Sequence, residues 1–169
     1  MFQQAETFSR NKERERGFSA VEMAIVFLII AILVVAFVPQ IITYMRMYRL
    51  GVASRNVATA LQRARYIATS NNARAGISIP SFQRIDIQQF PLEDSAEPEL
   101  KGFVQLPQEV TIAEGAPKQI AFDGRGILTP MPKESPTIRL NGPRGYYVII
   151  TVSPTGQVSV SDPQKGEGS

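Results

Sequence analysis

The first strong pattern along the chain is an apolar run over residues 18–38, in which Glu22 is the only charged residue. The run is 21 residues long. At about 1.5 Å per residue, a helix of that length spans the roughly 30 Å hydrocarbon core of a bilayer. A core helix of a soluble protein would show polar positions along one side. The run therefore predicts a single transmembrane helix over residues 18–38.

A different pattern follows Pro39, where apolar residues recur at spacings of three and four. The recurring positions are Leu50, Ala53, Val57, Leu61, Ala64 and Ala68. This spacing places them in one stripe of an amphipathic helix, and the polar stretch over residues 69–76 predicts its end. Residues 39–70 are therefore expected to continue the transmembrane segment as the amphipathic half of one long helix. Pro39 predicts a kink, because proline removes a backbone donor.

From residue 76 onward, short β-branched segments of alternating polarity predict strands, separated by Gly- and Pro-containing turns such as FDGRG, NGPRG and SPTG. The last three strands are expected to form an antiparallel meander with close turns at residues 141–145 and 153–156. The helical stripe can cover the apolar face of such a sheet. The predicted fold is α+β, with the long N-terminal helix packed on a small antiparallel β-sheet domain over residues 71–161. Residues 162–169 are expected to form a flexible tail.

Basic residues flank the apolar run unevenly. Four Lys or Arg residues lie between positions 10 and 16, whereas Arg46 and Arg49 come first after the run. Because positive charge favours the cytoplasmic side, this bias predicts a cytoplasmic N-terminus, with the globular domain across the membrane. A secretory signal peptide is disfavoured, because no small-residue cleavage site follows the apolar run.

Glu22 is the unusual residue of the run, because a carboxylate in a membrane helix is costly unless it is paired or close to the interface. One interpretation places Glu22 at the level of the lipid headgroups, where it reaches water. The other gives it a positive partner. A cut after Gly17 would create an amino group on Phe18, and a neighbouring chain shifted by about one turn could present its own amine. Burying two opposite charges together is less costly than burying either alone.

Together these residues resemble the signature of type IV pilins and type II secretion pseudopilins. Gly17 and Phe18, an acid at the fifth position of the cut product, an apolar run and a proline at its twenty-second position coincide at fixed spacing. The resemblance implies that residues 1–17 are a leader, which a prepilin peptidase removes after Gly17, and that Phe18 is then N-methylated. It also implies that Glu22 aligns an incoming subunit with a neighbour's terminal amine. The chain has GFSAVEMA where the family often has GFTLIELL, and only small and apolar identities differ.

The rest of the chain resembles the GspH/FimT-type minor pseudopilins. The resemblance is carried by the segments LQRARYIATSNNARAGISI, IAFDGRGILT and YYVIITVSPTGQVSV. It implies a non-enzymatic subunit of a type II secretion pseudopilus or a type IV pilus, held in the bacterial inner membrane with a periplasmic globular domain. The implied partners are other pilin-type subunits, the prepilin peptidase, the inner-membrane assembly platform and membrane lipid.

Composition removes several kinds of enzymatic chemistry, because the chain has no Cys and no His. Thiol nucleophiles, disulfides, the usual zinc sites and imidazole catalysis are therefore excluded. The acidic segment LEDSAEPEL lacks the ligand spacing of a calcium loop, and FDGRG is interpreted as a turn that Asp123 caps, with glycines at positive φ. Ser153 and Ser161 have no His to activate them. No catalytic set, metal site or cofactor is expected.

Binding of DNA or another surface by a filament-borne subunit is the alternative function. Arg125, Arg139 and Arg144 lie around the predicted turns, but the net charge is only +3. The resemblance implies DNA binding through a C-terminal arginine segment for some FimT-type proteins, whereas Lys165 is the only positive charge of this tail. DNA is therefore a possible partner that the sequence does not favour. The helical arginines are interpreted as a solvated face; these are Arg46, Arg49, Arg55, Arg63 and Arg65.

Overall fold

The structure is a computed structural model that describes residues 19–91 and 97–166. One helix precedes a series of short strands. In chain order the elements are α1 (Ala20–Ser70), β1 (Arg74–Ser81), β2 (Arg84–Phe90), β3 (Glu99–Gln105), β4 (Thr111–Ile112), β5 (Gln119–Phe122), β6 (Thr137–Asn141), a 3-10 turn (Pro143–Gly145), β7 (Tyr146–Val152), β8 (Val158–Val160) and β9 (Gln164–Lys165). The predicted α+β class is confirmed.

The strands form two antiparallel sheets rather than the single sheet expected from the sequence. The first has the order β3-β2-β1-β5, and the second has the order β4-β6-β7-β8, with β9 also paired to β7. The predicted meander of β6, β7 and β8 is confirmed. Strand β1 separates β2 from β5, so the first sheet depends on a pairing between segments that are far apart in sequence.

The chain divides into two compact units, Met1–Gln40 and Ile41–Ser169. In the described part of the first unit, the large apolar side chains of α1 up to Val38 are 42–77% exposed. This helix is long and apolar enough to cross a membrane, with a mean hydropathy of 3.1 over a window of which none is buried. Helix α1 passes through Pro39, and the kink there remains a prediction.

In the second unit, the predicted stripe of α1 is fully buried. Leu50, Ala53, Val57, Leu61, Ala64 and Ala68 are each 0% exposed. They form one hydrophobic core with residues of both sheets, including Ile77 of β1 and Ile150 of β7. The helix ends in a left-handed cap, because Asn72 has a φ of 45° and the Ala73 N–H donates to the Ala68 carbonyl.

The structure differs from the predicted flexible tail at β9. Gln164 and Lys165 pair with Tyr147 and Tyr146 of β7. The Tyr147 hydroxyl donates to Gln164 Oε1 at 2.9 Å, and the Gly166 N–H donates to the Gly145 carbonyl at 2.9 Å. The strand is only two residues long, which is too short for alternating polarity to predict it from the sequence. Residues 167–169 lie outside the described part of the chain.

Candidate assembly site on the long helix

The described part of the chain begins with a helix cap. The hydroxyl of Ser19 accepts the Val21 N–H at 3.3 Å, and the Ser19 carbonyl accepts the Met23 N–H at 3.1 Å. Ser19 therefore satisfies a backbone donor that the first turn leaves free. The sequence reasoning missed this role, although Ser19 and Glu22 have the S-x-x-E spacing of a capping box.

Glu22 lies in the first turn of α1 and is exposed. A carboxylate in this position interacts favourably with the positive end of the helix dipole. Gly17 and Phe18, the predicted cleavage and methylation residues, lie outside the described residues together with the predicted leader. Cleavage, methylation and charge pairing through Glu22 therefore remain predictions.

Two helical arginines meet a carboxylate near the start of the second unit. Arg46 Nε lies 3.7 Å from Glu109 Oε1, and Arg49 NH1 lies 3.6 Å from Glu109 Oε2. Glu109 Oε2 is buried and makes no hydrogen bond within the described part of the chain. The two arginines are 41% and 50% exposed. This part of the predicted solvated face is therefore partly neutralised by the β domain.

The interpretation of the helical arginines as a solvated face is wrong for Arg65, which is bound by the β domain. Its Nε donates to the Gly126 carbonyl at 3.0 Å, and its NH2 donates to the Thr155 carbonyl at 3.2 Å. The side chain thus joins α1 to the turn after β5 and to the turn between β7 and β8. The three segments that carried the resemblance in the sequence analysis meet at this one guanidinium group.

Three glycines allow these turns to approach one another and the helix end. A Cβ at Gly156 would lie 2.2 Å from the Gly126 carbonyl oxygen, and Gly156 has a φ of +82°. Gly126 has a φ of +77°, as expected for a turn glycine. Gly124 does not have the predicted positive φ. It lies close to the helix end, because a Cβ there would lie 2.4 Å from the Asn72 side-chain oxygen and 3.2 Å from Asn72 backbone atoms.

Asp123 caps the turn after β5, as the sequence predicts. Its Oδ1 accepts the backbone N–H groups of Arg125 and Ile127, both at 2.9 Å, and its Oδ2 accepts Arg125 Nε at 3.2 Å. The hydrogen bond from Ile127 is the main cause that lowers the pKa of Asp123, and burial opposes it. The FDGRG segment is therefore a structural turn, which agrees with its interpretation as a hairpin element rather than a phosphate-binding loop.

The two serines weighed as nucleophiles take part in local backbone structure. Ser153 Oγ lies 2.9 Å from Thr155 Oγ1 and accepts the Gln157 N–H, whereas Ser161 Oγ accepts the Ile149 N–H. Within residues 19–91 and 97–166, no three acidic side chains are arranged to hold a metal ion. Glu93 and Asp94 of the acidic segment lie outside these ranges.

The three arginines considered for DNA binding differ in how far other side chains already engage them. Arg125 is engaged by Asp123, and the Arg139 guanidinium lies 4.0 Å from the centroid of the Tyr147 ring. Arg144 is exposed in the 3-10 turn, with a φ of 60°. Strand β9 brings Lys165 beside this turn, because Gly166 bonds to Gly145. The structure thus brings Arg139, Arg144 and Lys165 to one end of the second sheet.

Comparison with solved structures shows that the fold is that of a type IV pilin-like protein. The minor pilin FimU of Pseudomonas aeruginosa matches with a TM-score of 0.58 at 16% identity, over 70% of this chain and 92% of FimU. The minor pseudopilin EpsH from the type 2 secretion system of Vibrio cholerae matches with a TM-score of 0.51 at 12% identity, over 68% of this chain and 97% of EpsH.

The family follows from the sequence. A family profile described as type II transport protein GspH matches residues 53–156, which is more than half of the chain. The chain therefore belongs to the GspH family, and the resemblance stated above is confirmed. A sequence search of curated proteins finds no significant match. Because the family and the structural neighbours are pilin or pseudopilin subunits, the chain is a filament-type subunit that assembles with other such subunits and not an enzyme.

Proposed function

We propose that the chain is a minor subunit of a type II secretion pseudopilus or a type IV pilus, processed after Gly17, N-methylated at Phe18 and assembled through Glu22. The observation that carries this proposal is the start of α1. Glu22 lies in the first turn of a helix whose large apolar side chains, up to Val38, are 42–77% exposed. Only lipid or other apolar helices can cover such a surface.

Assembly moves this surface from lipid to the helices of neighbouring subunits. Lipid tails are as apolar as the packed side chains, so the transfer brings little hydrophobic gain, and packing and charge decide which subunits associate. Glu22 supplies a charge whose partner is the terminal ammonium of a neighbour. The pair favours the axial offset that brings the two groups together, because every other offset leaves a charge unpaired in an apolar surrounding.

The proposed location follows from the same features. The protein is anchored in the bacterial inner membrane with its N-terminus in the cytoplasm and Ile41–Ser169 in the periplasm. The prepilin peptidase and the assembly platform are its partners before it is extracted into the filament. Mass spectrometry of protein purified from the native membrane tests the processing step. It should find N-methylated Phe18 as the first residue, and an intact Met1 form as the only species would contradict it.

A Glu22→Ala variant tests the assembly step. Leaving the ammonium of a neighbour unpaired should lower the fraction of the subunit in sheared filaments at least tenfold, since about 1.4 kcal/mol already corresponds to that factor. Glu22→Gln should fail similarly, because it keeps the shape but not the charge. Glu134→Ala, which removes an exposed carboxylate of the β domain, is the control. Normal incorporation of processed Glu22→Ala would refute the role of Glu22.

A filament-borne DNA-binding subunit is the second candidate, and the cluster of Arg139, Arg144 and Lys165 favours it. Phosphate contacts by such a cluster would give an affinity that falls steeply with salt. The full chain in detergent should then retard a double-stranded oligonucleotide at low salt, and Arg144→Glu should abolish the retardation. Absence of binding at low salt would refute this second function.

A further inference from the structure

The face of α1 that points away from the β domain carries a straight row of aromatic and polar side chains. We call this row the outer stripe; its members are Tyr44, Tyr48, Arg55, Thr59, Gln62 and Tyr66. Their spacings of three, four and seven residues place them on one side of the helix, opposite the buried stripe. The three tyrosines are 74%, 72% and 70% exposed. Three large aromatic side chains so exposed on one helix face are typical of a protein interface.

The charge on this part of the helix has a single sign. The sequence between Glu22 and Asp86 contains no acidic residue, yet α1 carries five arginines after residue 40. Arg46 and Arg49 approach Glu109, and Arg63 and Arg65 donate to carbonyl oxygens of the β domain. Arg55 makes no ion pair and no side-chain hydrogen bond within the described ranges. It is therefore the cation that the outer stripe presents to a partner.

We propose that the outer stripe docks an acidic helix of a different pilin-type subunit, with a carboxylate of that helix paired to Arg55 between Tyr48 and Tyr66. This inference rests on the proposed function, because it presumes that the chain enters a filament. A second copy of this chain does not fit through the same face. The part of its helix after residue 40 would bring arginines and no carboxylate, and juxtaposed like charges disfavour association.

The shape of the outer stripe favours a helix as its occupant. From Tyr44 to Tyr66 the stripe covers 23 residues, or about 33 Å at the rise of an α-helix. A second helix can follow such a straight row at an interaxial distance of about 8–10 Å. Arginine and tyrosine donors match carboxylates on that helix, and the tyrosine rings add aromatic contact area along the same row.

The experiment uses the full chain in its native host, with the photo-reactive residue p-benzoylphenylalanine in place of Thr59. Cross-linked products are identified by mass spectrometry, and we expect another pilin-type subunit linked through a helix that carries Asp or Glu. Arg55→Glu should lower the yield roughly fivefold, as expected for the replacement of attraction by repulsion at a surface. Arg55→Lys should retain most of it, and Lys133→Glu on the β domain is the matched control. Changing the linked carboxylate of the partner to Lys should rescue Arg55→Glu.

Several outcomes would overturn the inference: cross-links to a second copy of this chain, equal yields for Arg55→Glu and the unaltered chain, or no cross-linked subunit. Retardation of double-stranded DNA that is lost in Arg55→Glu would instead make the outer stripe a nucleic-acid surface. Incorporation into sheared filaments is measured in the same cells. If the chain enters filaments but the outer stripe does not link to an acidic helix, only this inference fails. If it never enters filaments, the proposed function fails as well.

Discussion

The two halves of α1 use hydrophobic residues in opposite ways. Up to Val38 the large apolar side chains are all substantially exposed, and the least exposed of them still shows 42% of its surface. Between Leu50 and Ala68, the six apolar residues of the predicted stripe lie on one side of the helix, and each is 0% exposed. The first half surrounds the helix with apolar groups, whereas the second confines them to one side and places arginines and tyrosines on the others.

The apolar surface of the first half therefore serves assembly, whereas that of the second half serves folding. Apolar surface that the chain itself does not bury contributes nothing to the stability of the β domain and is available to lipid and to other helices. Apolar surface in the buried stripe contributes to folding through contact with both sheets. Substitutions in the two halves should therefore have separable effects, and paired variants can test that separation.

The largest expected effect is that of Leu61→Ala, compared with Leu33→Ala. Leu61 is 0% exposed and Leu33 is 49% exposed. The buried deletion should destabilise the β domain by about 2–5 kcal/mol, because it removes packed atoms and leaves a cavity. Leu33→Ala should leave that stability unchanged. Denaturant unfolding of the full chain in detergent, followed by tyrosine fluorescence, measures both, and equal effects would break the distinction between the halves.

A smaller effect is expected from Arg65→Met, with Arg55→Met as its control. Arg65 holds two carbonyl oxygens of the β domain, whereas Arg55 faces outward on the same helix. Loss of the two charged hydrogen bonds should cost about 1–3 kcal/mol of unfolding free energy. Arg55→Met should change it by less than about 0.5 kcal/mol. The same unfolding assay distinguishes them, and a neutral Arg65→Met would show that packing alone holds the turns to the helix.

The buried side of α1 could be predicted from the sequence, because apolar residues at spacings of three and four fall on one face of a helix. All six residues of the predicted stripe are buried, and strands β6, β7 and β8 flank the two turns predicted for the meander. The signature around Gly17 and Glu22 likewise depends on local spacing, and the family that it indicated is confirmed by the match over residues 53–156.

The features missed by the sequence reasoning depend on contacts between distant segments. The division into two sheets depends on β1 pairing with β5, and β9 depends on backbone groups of β7. Arg65 was assigned to a solvated face because its acceptors are carbonyl oxygens 61 and 90 residues away. Every residue has a backbone carbonyl, so the sequence does not indicate which carbonyl will accept a hydrogen bond from Arg65. Gly124 was assigned a positive φ, whereas the structure gives it none and places it close to Asn72 at the helix end.

The smallest expected effect concerns Asp123, in the turn that Arg65 joins to the helix. Its pKa is lowered chiefly by the Ile127 N–H. Protonation is therefore harder in the folded state, and the stabilisation is present above the ordinary pKa of Asp, about 3.9. It is lost as the pH falls through the lowered folded pKa. The unaltered chain should exceed Asp123→Asn in stability at pH 6, and this difference should shrink as the pH falls below about 4.

Asp162→Asn is the matched control for this pH dependence. Asp162 is exposed, and its carboxylate accepts no hydrogen bond from the described residues. Thermal unfolding of the full chain between pH 6 and pH 3 should therefore give parallel curves for Asp162→Asn and the unaltered chain, and converging curves for Asp123→Asn. A constant offset for Asp123→Asn would show that the turn depends on the shape of the side chain and not on its charge. Because the predicted change concerns a turn of the second unit, the apolar half of α1 should be unaffected, and membrane extraction of Asp123→Asn should match that of the unaltered chain at every pH.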